Sequence, residues 1–290
     1  MIVPFPPGGG VDSMGRLVSQ RLTESFGRQF IVDNRAGANG MIGSEAVAKS
    51  PKDGHTLLIN GANFVTTPLL FTQVSYDPVR DFDPVSLMAL GPNVLVVHPS
   101  LPVTSVKELI ALARAKPGHV QFAGSGSGST PHLAGELFNA MAKVNMVHVP
   151  YRGSGPAMIG LLSGEASIMF LPAINAGPHL KTGRLRALAV TSRERLPALP
   201  ELPTISESGL KGYESSQWYA VLAPAGTPAE IVGALNTQIA KIMQAPDMKQ
   251  RLTADGLLTV GGTREQLAAH LKTETAKWAK VIKASGAKVD

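Results

Sequence analysis

The 290-residue sequence contains no cysteine, so disulfides, thiolate catalysis and cysteine-ligated metal sites are all excluded. Aromatic residues make up only 5% of the chain and are not interleaved with blocks of lysine or arginine. That pattern argues against a nucleic-acid partner, although the net charge is +6. The uncharged run at residues 54–76 contains asparagines, threonines and a glutamine, and it is too polar to cross a membrane.

The composition indicates a folded protein of more than one domain. Hydrophobic residues make up 44% of the chain and charged residues 17%, which is typical of globular proteins. A length of 290 residues fits two domains of ordinary size. The surplus of lysine and arginine is spread along the chain and gives a pI near 9.6, which would draw small anions towards the protein.

The first residues bear on the compartment in which the protein works. No signal peptide is visible, yet an apolar strand begins almost at the first residue and runs into Pro4. We therefore expect that Met1 is not the natural start and that an export segment has been removed.

Strand-like and helix-like segments alternate along most of the chain, which predicts an α/β fold. Capping signals mark the starts of three helices near Ser105, Thr227 and Thr263. Several of the apolar strand candidates lack strict alternation, as parallel strands covered on both faces do. These candidates are residues 30–32, 56–59, 94–97, 120–123, 146–149, 168–170, 187–190 and 219–222.

Two strands form a matched pair, because each ends at a proline and a complete set of strands and helices lies between them. They are residues 94–97, before Pro99, and residues 218–222, before Pro224. This pattern predicts two α/β lobes joined by two hinge strands, with a cleft between the lobes. Residues 1–96 plus 223–290 are predicted to form the first lobe and residues 97–222 the second.

Glycine-rich loops follow several predicted strands. The first, Pro6-Pro7-Gly8-Gly9-Gly10, leads into a helix for which Asp12 is the predicted N-cap. Bare N–H groups at a helix N-terminus suit an anion, because they donate hydrogen bonds and the helix dipole adds positive charge. Since ligands bind beyond the carboxyl ends of parallel strands, these loops predict a shared anion-binding cleft. The comparable loops are residues 34–40, 60–63, 124–130 (with Thr130 as the predicted helix cap) and 150–156.

No motif of nucleophilic, phosphate-transfer or metal chemistry is present. The chain has neither a loop ending in Gly-Lys-Ser/Thr nor a Gly-x-Ser-x-Gly elbow, and its first glycine loop lacks the rest of a dinucleotide fingerprint. The seven histidines show no metal-ligand spacing. We therefore predict no catalytic residue, no metal and no cofactor. His132, just past the predicted cap, either faces a ligand or serves the fold as a buried histidine.

Several multi-residue motifs, in order along essentially the whole chain, resemble the Bug family, the substrate-binding receptors of tripartite tricarboxylate transporters. The resemblance implies a periplasmic receptor with a two-lobed, type II-like periplasmic-binding-protein fold. It further implies a small carboxylate ligand, membrane transporter subunits as partners, and a monomer. The motifs are residues 3–12, 34–40, 53–58, 150–157 (from Pro150-Tyr151-Arg152-Gly153 onwards), 185–192, 202–204, 207–209 and 224–228.

By this resemblance, the first glycine-rich loop and its neighbour hold one ligand carboxylate through backbone amides and ordered waters. Asp12 is expected to cap its helix instead of touching the ligand, because its carboxylate would repel an anion. The implied first wall consists of Phe5, Pro6, Gly8, Gly9 and Val11, with Gly61 and Asn63 beside it. The second lobe is expected to add Ser125, Ser127, Gly128, Ser129, His132, Tyr151, Arg152, Gly153 and Leu171.

The chain departs from the family pattern in one strand, where members often carry two aspartates and this sequence has Ser167 and Leu171. A buried acid there would pair with a ligand's ammonium group. Its absence favours a mono- or dicarboxylate with an apolar or aromatic body over an amino acid. Two other functions stay open at this point: an enzyme of the same build acting on an anionic metabolite, and a sensory receptor that signals to a membrane kinase.

Overall fold

The computed structural model describes residues 1–126, 128–151 and 153–286 of the chain. Strands and helices alternate over nearly the whole length, as predicted. The strands are β1 (Ile2–Val3), β2 (Asp33–Asn34), β3 (Leu58–Asn60), β4 (Phe82–Val97), β5 (Gln121–Gly124), β6 (Val147–Pro150), β7 (Ile168–Pro172), β8 (Arg186–Val190), β9 (Ser216–Pro224) and β10 (Leu258–Thr259). The helices are α1 (Gly10–Phe26), α2 (Met41–Ala48), α3 (Asn63–Leu70), α4 (Val106–Ala115), α5 (Thr130–Ala142), α6 (Ser154–Leu162), α7 (Ala173–Lys181), α8 (Ala229–Gln244), α9 (Pro246–Ala254) and α10 (Arg264–Ser285), with a 3-10 turn at Ala38–Gly40.

The strands form two sheets that share β4. Residues 82–92 of β4 pair antiparallel with β9, and the sheet continues through β3 and β1 to β2. Residues 93–97 pair instead with β7 and β8, and β5 and β6 extend this second sheet beyond β7. The outer strands are parallel, as expected, whereas the pairs around the hinge are antiparallel. The fold is therefore α/β with two lobes and a mixed sheet.

The hinge strands are longer than their sequence pattern indicates. Only residues 94–97 of the 16-residue β4 read as a strand, because Pro84, Gly91 and Pro92 interrupt its apolar run. The strand tolerates Pro84 at an irregularity in its register with β9, where the pairing shifts between Pro84 and Ser86. All of β9 pairs with β3 and with the first part of β4, so the pairing favours placing residues 216–224 with the first lobe. The exact residue bounds of the lobes remain a prediction.

The short second strand lies later than predicted. Residues 30–32 are not in a strand, and the segment that pairs with β1 is Asp33–Asn34. Phe30 and Val32 are apolar because they pack against the core of the first lobe, and not because they belong to a strand. The pattern thus located two partly buried apolar residues and missed the backbone pairing by a few positions.

Two of the three predicted helix starts match the structure. Ser105 caps α4, its hydroxyl accepting from the Glu108 N–H at 3.2 Å. Thr263 and Gln266 form a reciprocal capping box at the start of α10. The third helix begins one residue later than predicted: Pro228 is its N-cap, and the Thr227 hydroxyl donates to the Pro224 carbonyl at 2.7 Å.

Helix α10 joins the lobes behind the hinge, since it contacts α3 in the first lobe, β4, and α5 in the second lobe. Its Trp278 is buried in the core cluster that runs through both lobes. Within the described part of the chain, no helix combines the length and apolar character that crossing a membrane requires.

Candidate functional site

A cavity of about 360 Å³ lies between the lobes, where β4 changes partners. We call it the hinge cavity. Both hinge strands contribute to its floor, and loops of both lobes form its sides. Its lining residues are Asn39, Asn63, Gly91, Pro92, Asn93, Ser125, Gly126, Ser129, Thr130, Pro131, Ser154, Pro172, Ala173, Ile174, Gln217, Tyr219, Asp255, Gly256 and Leu257.

Four helices begin at the hinge cavity. The first N–H groups of a helix have no intrahelical partner, and the helix dipole places partial positive charge beside them. Among the described lining residues, Asp255 alone carries a charged side chain. On the described part of the wall, the donors open to a carboxylate are therefore backbone amides, hydroxyls and side-chain amides. The helices that begin here are α3 at Asn63, α5 at Thr130, α6 at Ser154 and α7 at Ala173.

A second cavity of about 520 Å³ adjoins the first, and we call it the outer cavity. The two share Ile174, Tyr219, Asp255 and Leu257 as lining residues. Helix α1 begins at its edge, and Arg251 brings a positive charge to its wall. Its remaining lining residues are Gly8, Gly10, Ser13, Met14, Leu17, Asn175 and Leu252.

Asp12 shapes the loop before α1 from the inside. The helix begins at Gly10 with Gly9 as N-cap, so the prediction that Asp12 is the cap is wrong. Instead the buried Asp12 carboxylate accepts from the Gly8 N–H at 2.9 Å and from Arg16 Nε at 3.0 Å. Its other oxygen accepts from Asn34 Nδ2 at 2.9 Å. The hydrogen bond from Arg16, with those from Gly8 and Asn34, lowers the pKa of Asp12 to about 2 against the cost of burial.

These bonds turn Asp12 away from the cleft. Gly8 has φ +91°, a backbone conformation that residues other than glycine rarely adopt. Its N–H donates to the Asp12 carboxylate. Asn34 Nδ2 also donates to the Phe5 carbonyl at 3.0 Å, which ties the strand end to the same network. The carboxylate thus fixes the loop without facing an anionic ligand.

Asn39 presents its amide to the hinge cavity from a strained turn. Its φ and ψ of 51° and 35° lie in the left-handed region, which asparagine tolerates better than most residues. Asn39 Nδ2 donates to Thr67 Oγ1 at 2.9 Å, and Asn63 Nδ2 donates to Asn39 Oδ1 at 3.0 Å. The two asparagines are therefore held as a pair on the first-lobe side of the cavity.

Two glycines leave room for side chains of β9 beside the cleft, because a Cβ at either position would collide with them. A Cβ on Gly10 would lie 2.6 Å from the Tyr219 hydroxyl, and a Cβ on Gly61 would lie 2.3 Å from Gln217 Nε2. Burial raises the pKa of Tyr219, so its hydroxyl is a neutral group between the two cavities. Thr130 Oγ1 donates to Gln217 Oε1 at 3.1 Å, which connects the second lobe to the hinge strand.

The glycine–serine loop of the second lobe ends one residue earlier than predicted, since Ser129 and not Thr130 caps α5. The Ser129 hydroxyl accepts from the His132 N–H at 3.4 Å. The His132 ring lies behind the loop, where its Nδ1 accepts from the Gly128 N–H at 2.9 Å. His132 is only 6% exposed and lines neither cavity. Its geometry is that of a buried histidine bound to the loop.

The structure brings part of the predicted site together. Asn63, Ser125 and Ser129 line the hinge cavity, and Gly8 lines the outer one. Five more lie directly beside lining groups: Gly9 as the cap of α1, Gly153 as the cap of α6, Gly61 under Gln217, and Gly128 with His132 behind the loop.

Other predicted residues lie off the cavity walls. Leu171 is 1% exposed and pairs with Val94 in the sheet, so its side chain belongs to the core of the second lobe. The predictions for Ser127 and Arg152 fall outside the described residues. The remaining residues off the walls are Phe5, Pro6, Val11 and Tyr151.

Several lining residues were missed by the sequence analysis. Asn39 and Thr130 lie in loops that the analysis singled out, so their polar side chains were a usable signal. Arg251 and Asp255 come from α9 and the turn after it, and no local pattern marks that surface helix as part of a cleft. Asp255 also supplies a carboxylate to the cleft from an element far from Ser167 and Leu171.

No metal site accompanies this cleft: the described residues contain no group of three or more histidine, aspartate or glutamate side chains that could hold an ion.

Comparison with known proteins identifies relatives over the full chain. Protein BugT of Bordetella pertussis is 40% identical over 296 residues, covering 100% of this chain and 89% of its own. A structure described as R. palustris Rpa4515 with adipate is 41% identical, with a TM-score of 0.83 and coverage of 99% of this chain and 97% of that one. MatC (Rpa3494) from Rhodopseudomonas palustris with bound malate is 30% identical, with a TM-score of 0.79 and 97% coverage of each chain. The model of the tripartite tricarboxylate transporter family receptor matches residues 14–287, and the chain therefore belongs to this family of solute-binding receptors.

Proposed function

We propose that this protein binds a small dicarboxylate in the cleft between its lobes and delivers it, as a monomer in the periplasm, to the membrane subunits of a tripartite transporter. Receptors of its family are periplasmic solute-binding proteins. The observation that carries the proposal is the convergence of four helix N-termini on a cavity whose described wall has no basic side chain.

The two adjoining cavities favour a ligand with two separated acidic groups. One carboxylate would lie in the hinge cavity, among the starts of α3, α5, α6 and α7. The other would lie in the outer cavity, near the start of α1 and the Arg251 guanidinium. Met14, Leu17 and Leu252 line the outer cavity and suit an apolar body. Adipate and malate, which two relatives bind, belong to this chemical class.

Asp255 limits which ligand groups can lie near it. Its carboxylate lines both cavities and would repel a ligand acid brought close to it. A ligand hydroxyl or ammonium group could donate a hydrogen bond to it. The ligand's two carboxylates are therefore expected to lie on either side of Asp255, at the helix starts.

An enzyme acting on an anionic metabolite would need a base in the cleft. His132 does not fill that role, because its Nδ1 accepts from the Gly128 N–H behind the loop. Delivery to a transporter follows the family's role.

A ligand panel tests the proposal directly. Malate, adipate, suberate, hexanoate, glutamate and lysine would each be added in excess, and the unfolding temperature measured. At about 100 times Kd, a bound dicarboxylate is expected to add about 2.7 kcal/mol of stability, which raises Tm by several degrees. Calorimetric titration of the best compound then gives its Kd. No shift from any acid would sink the proposal, and a larger shift from hexanoate than from every dicarboxylate in the panel would overturn its dicarboxylate part.

Arg251 should matter for the second carboxylate only. Replacing Arg251→Gln is expected to weaken adipate binding about fivefold, because one solvent-facing charge-assisted hydrogen bond is lost. Hexanoate, which has the same carbon chain and one carboxylate, should bind both proteins equally. Lys249→Gln on the exposed side of the same helix is the control for net charge. Equal losses for Lys249→Gln and Arg251→Gln would show a general charge effect and no contact.

A further inference from the structure

We infer that His132 is a positioning residue that fixes the glycine–serine loop of the second lobe, and so the wall of the hinge cavity, without touching the ligand. The inference rests on the proposed function, since it concerns the same cleft. It assigns to His132 a role that neither a ligand contact nor a catalytic base would fill.

The Gly128 N–H joins the loop to the His132 ring. Gly128 is buried and has φ +76°, so its N–H points inward and has the His132 ring as its partner, at 2.9 Å from Nδ1. A buried N–H without a partner is costly, so the ring and the loop conformation depend on each other. The lining residues Ser125, Gly126 and Ser129 lie within three positions of Gly128.

His132 also contacts the loop through its backbone, since its N–H donates to the Ser129 hydroxyl. Inside the loop, the Ser129 N–H donates to the Gly126 carbonyl at 3.2 Å. The loop is thus closed on itself and attached to one residue of α5 at two points. Any displacement of His132 would move the serine hydroxyls that face the cavity.

The ring has one tautomer that satisfies these bonds. Because Nδ1 accepts from a backbone N–H, the ring proton must lie on Nε2, which faces Glu136 Oε1 at 3.6 Å. Glu136 lies one turn along α5, near the side of the ring that carries the proton. The acceptor nitrogen then faces the loop.

A stack of rings holds His132 from the other side. The His148 ring lies parallel to it with centroids 3.8 Å apart, and Phe122 packs against both. His148 in turn occupies the space that a Cβ on Gly124 would need, 2.1 Å from its Nε2. Burial, with His132 nearby, lowers the pKa of His148 to about 4, so the stack is uncharged on that side near neutral pH.

The test compares side chains that keep or lose the acceptor. In His132→Asn, the amide oxygen lies near the position of Nδ1 and can still accept from the Gly128 N–H. In His132→Gln, the longer side chain places its amide towards Glu136. His132→Leu has no acceptor at all. Amide exchange at Gly128, measured by NMR on the free protein, is the direct readout. We expect the Gly128 amide to exchange about tenfold faster in His132→Gln and His132→Leu than in the wild type. In His132→Asn its exchange rate should stay within about threefold of the wild type.

Two controls separate a local effect on the loop from a general loss of stability. Exchange at Val96, which pairs with both β7 and β8, reports global stability, and any change there is subtracted from the change at Gly128. The exposed His119, changed to Gln, is the matched control in the same lobe. Adipate titration should give a Kd about tenfold weaker for Gln and Leu, and within about threefold of wild type for Asn.

The outcomes are distinct. Equal behaviour of Asn and Gln at Gly128 would overturn the positioning role, as would unchanged exchange in the Leu variant. Weak adipate binding by Asn with normal Gly128 protection would show that the His132 ring contacts the ligand, which also overturns it. If wild type binds no acid in the panel, the proposed function fails, while the Gly128 exchange still decides what His132 does to the loop.

Discussion

Replacing Asp12→Ala is expected to lower the free energy of unfolding by about 3 kcal/mol, because it leaves the Gly8 N–H and the Asn34 amide without their buried acceptor. The first glycine-rich loop would lose its internal support at the same time. Carboxylate binding is therefore expected to weaken by about tenfold or more, which calorimetry with adipate would measure. Denaturant unfolding gives the stability change.

The pH dependence provides an independent check on Asp12. Its pKa is about 2 in the folded protein against a usual value of 3.8, so the ionised group stabilises the fold. That stabilisation is fully present above about pH 4 and disappears as the pH falls through about 2. The stability difference between wild type and Asp12→Ala should thus be constant from about pH 7 to 5 and shrink below about pH 4.

The exposed Asp53 offers a matched control, because its carboxylate accepts a local bond from the His55 N–H at 2.9 Å instead of joining distant parts of the chain that the structure describes. Asp53→Ala should cost less than about 0.5 kcal/mol and leave adipate binding intact. If both alanine variants lost the same stability, the network around Asp12 would have no special role in holding the loop.

Gly61→Ala is expected to damage the cleft by steric conflict alone. The new Cβ would lie 2.5 Å from the Trp218 carbonyl oxygen and 2.3 Å from Gln217 Nε2, and the backbone of β9 cannot turn aside as a side chain can. We expect a loss of about 1–3 kcal/mol in stability, as for other overpacked sites. Adipate affinity should fall by tenfold or more, since Gln217 lines the hinge cavity and binds Thr130.

Gly233→Ala is the matched control for this substitution. Gly233 lies inside α8, and nothing is within 4 Å of its added Cβ. That variant should be neutral or up to about 1 kcal/mol more stable, because alanine favours helix. If the Gly61→Ala variant had the stability and the adipate affinity of the wild type, the predicted steric conflict would be wrong. Gln217 would then have no demonstrated part in binding.

The order of elements could be predicted well because each is encoded locally. Capping residues such as Ser105 and Thr263, and the glycine-rich loops, depend on neighbours a few positions away, and the structure places them close to expectation. Predictions that depended on one residue were less exact: the caps at Asp12, Thr130 and Thr227 each moved. Several polar residues near a helix start compete for the cap, and packing selects among them.

The hinge shows where local signals end. Residues 82–92 continue a strand through two prolines because β9 supplies partners along their length. A single-residue register shift absorbs the irregularity at Pro84. Propensity alone predicts a break there, since it does not include the partner strand.

By itself, the sequence determined the α/β class, the hinge of two strands, the family and the loops that border the hinge cavity, since all of these follow from short-range patterns and motifs. Tertiary structure alone decided which side chains face the cleft. It turned Asp12 and His132 inward to hold loops, placed Leu171 in the core, and brought Arg251 and Asp255 to the cavities from a late helix. The physical reason is that a side chain's direction depends on partners distant in the chain, such as Asn34 for Asp12 and β9 for Gly61.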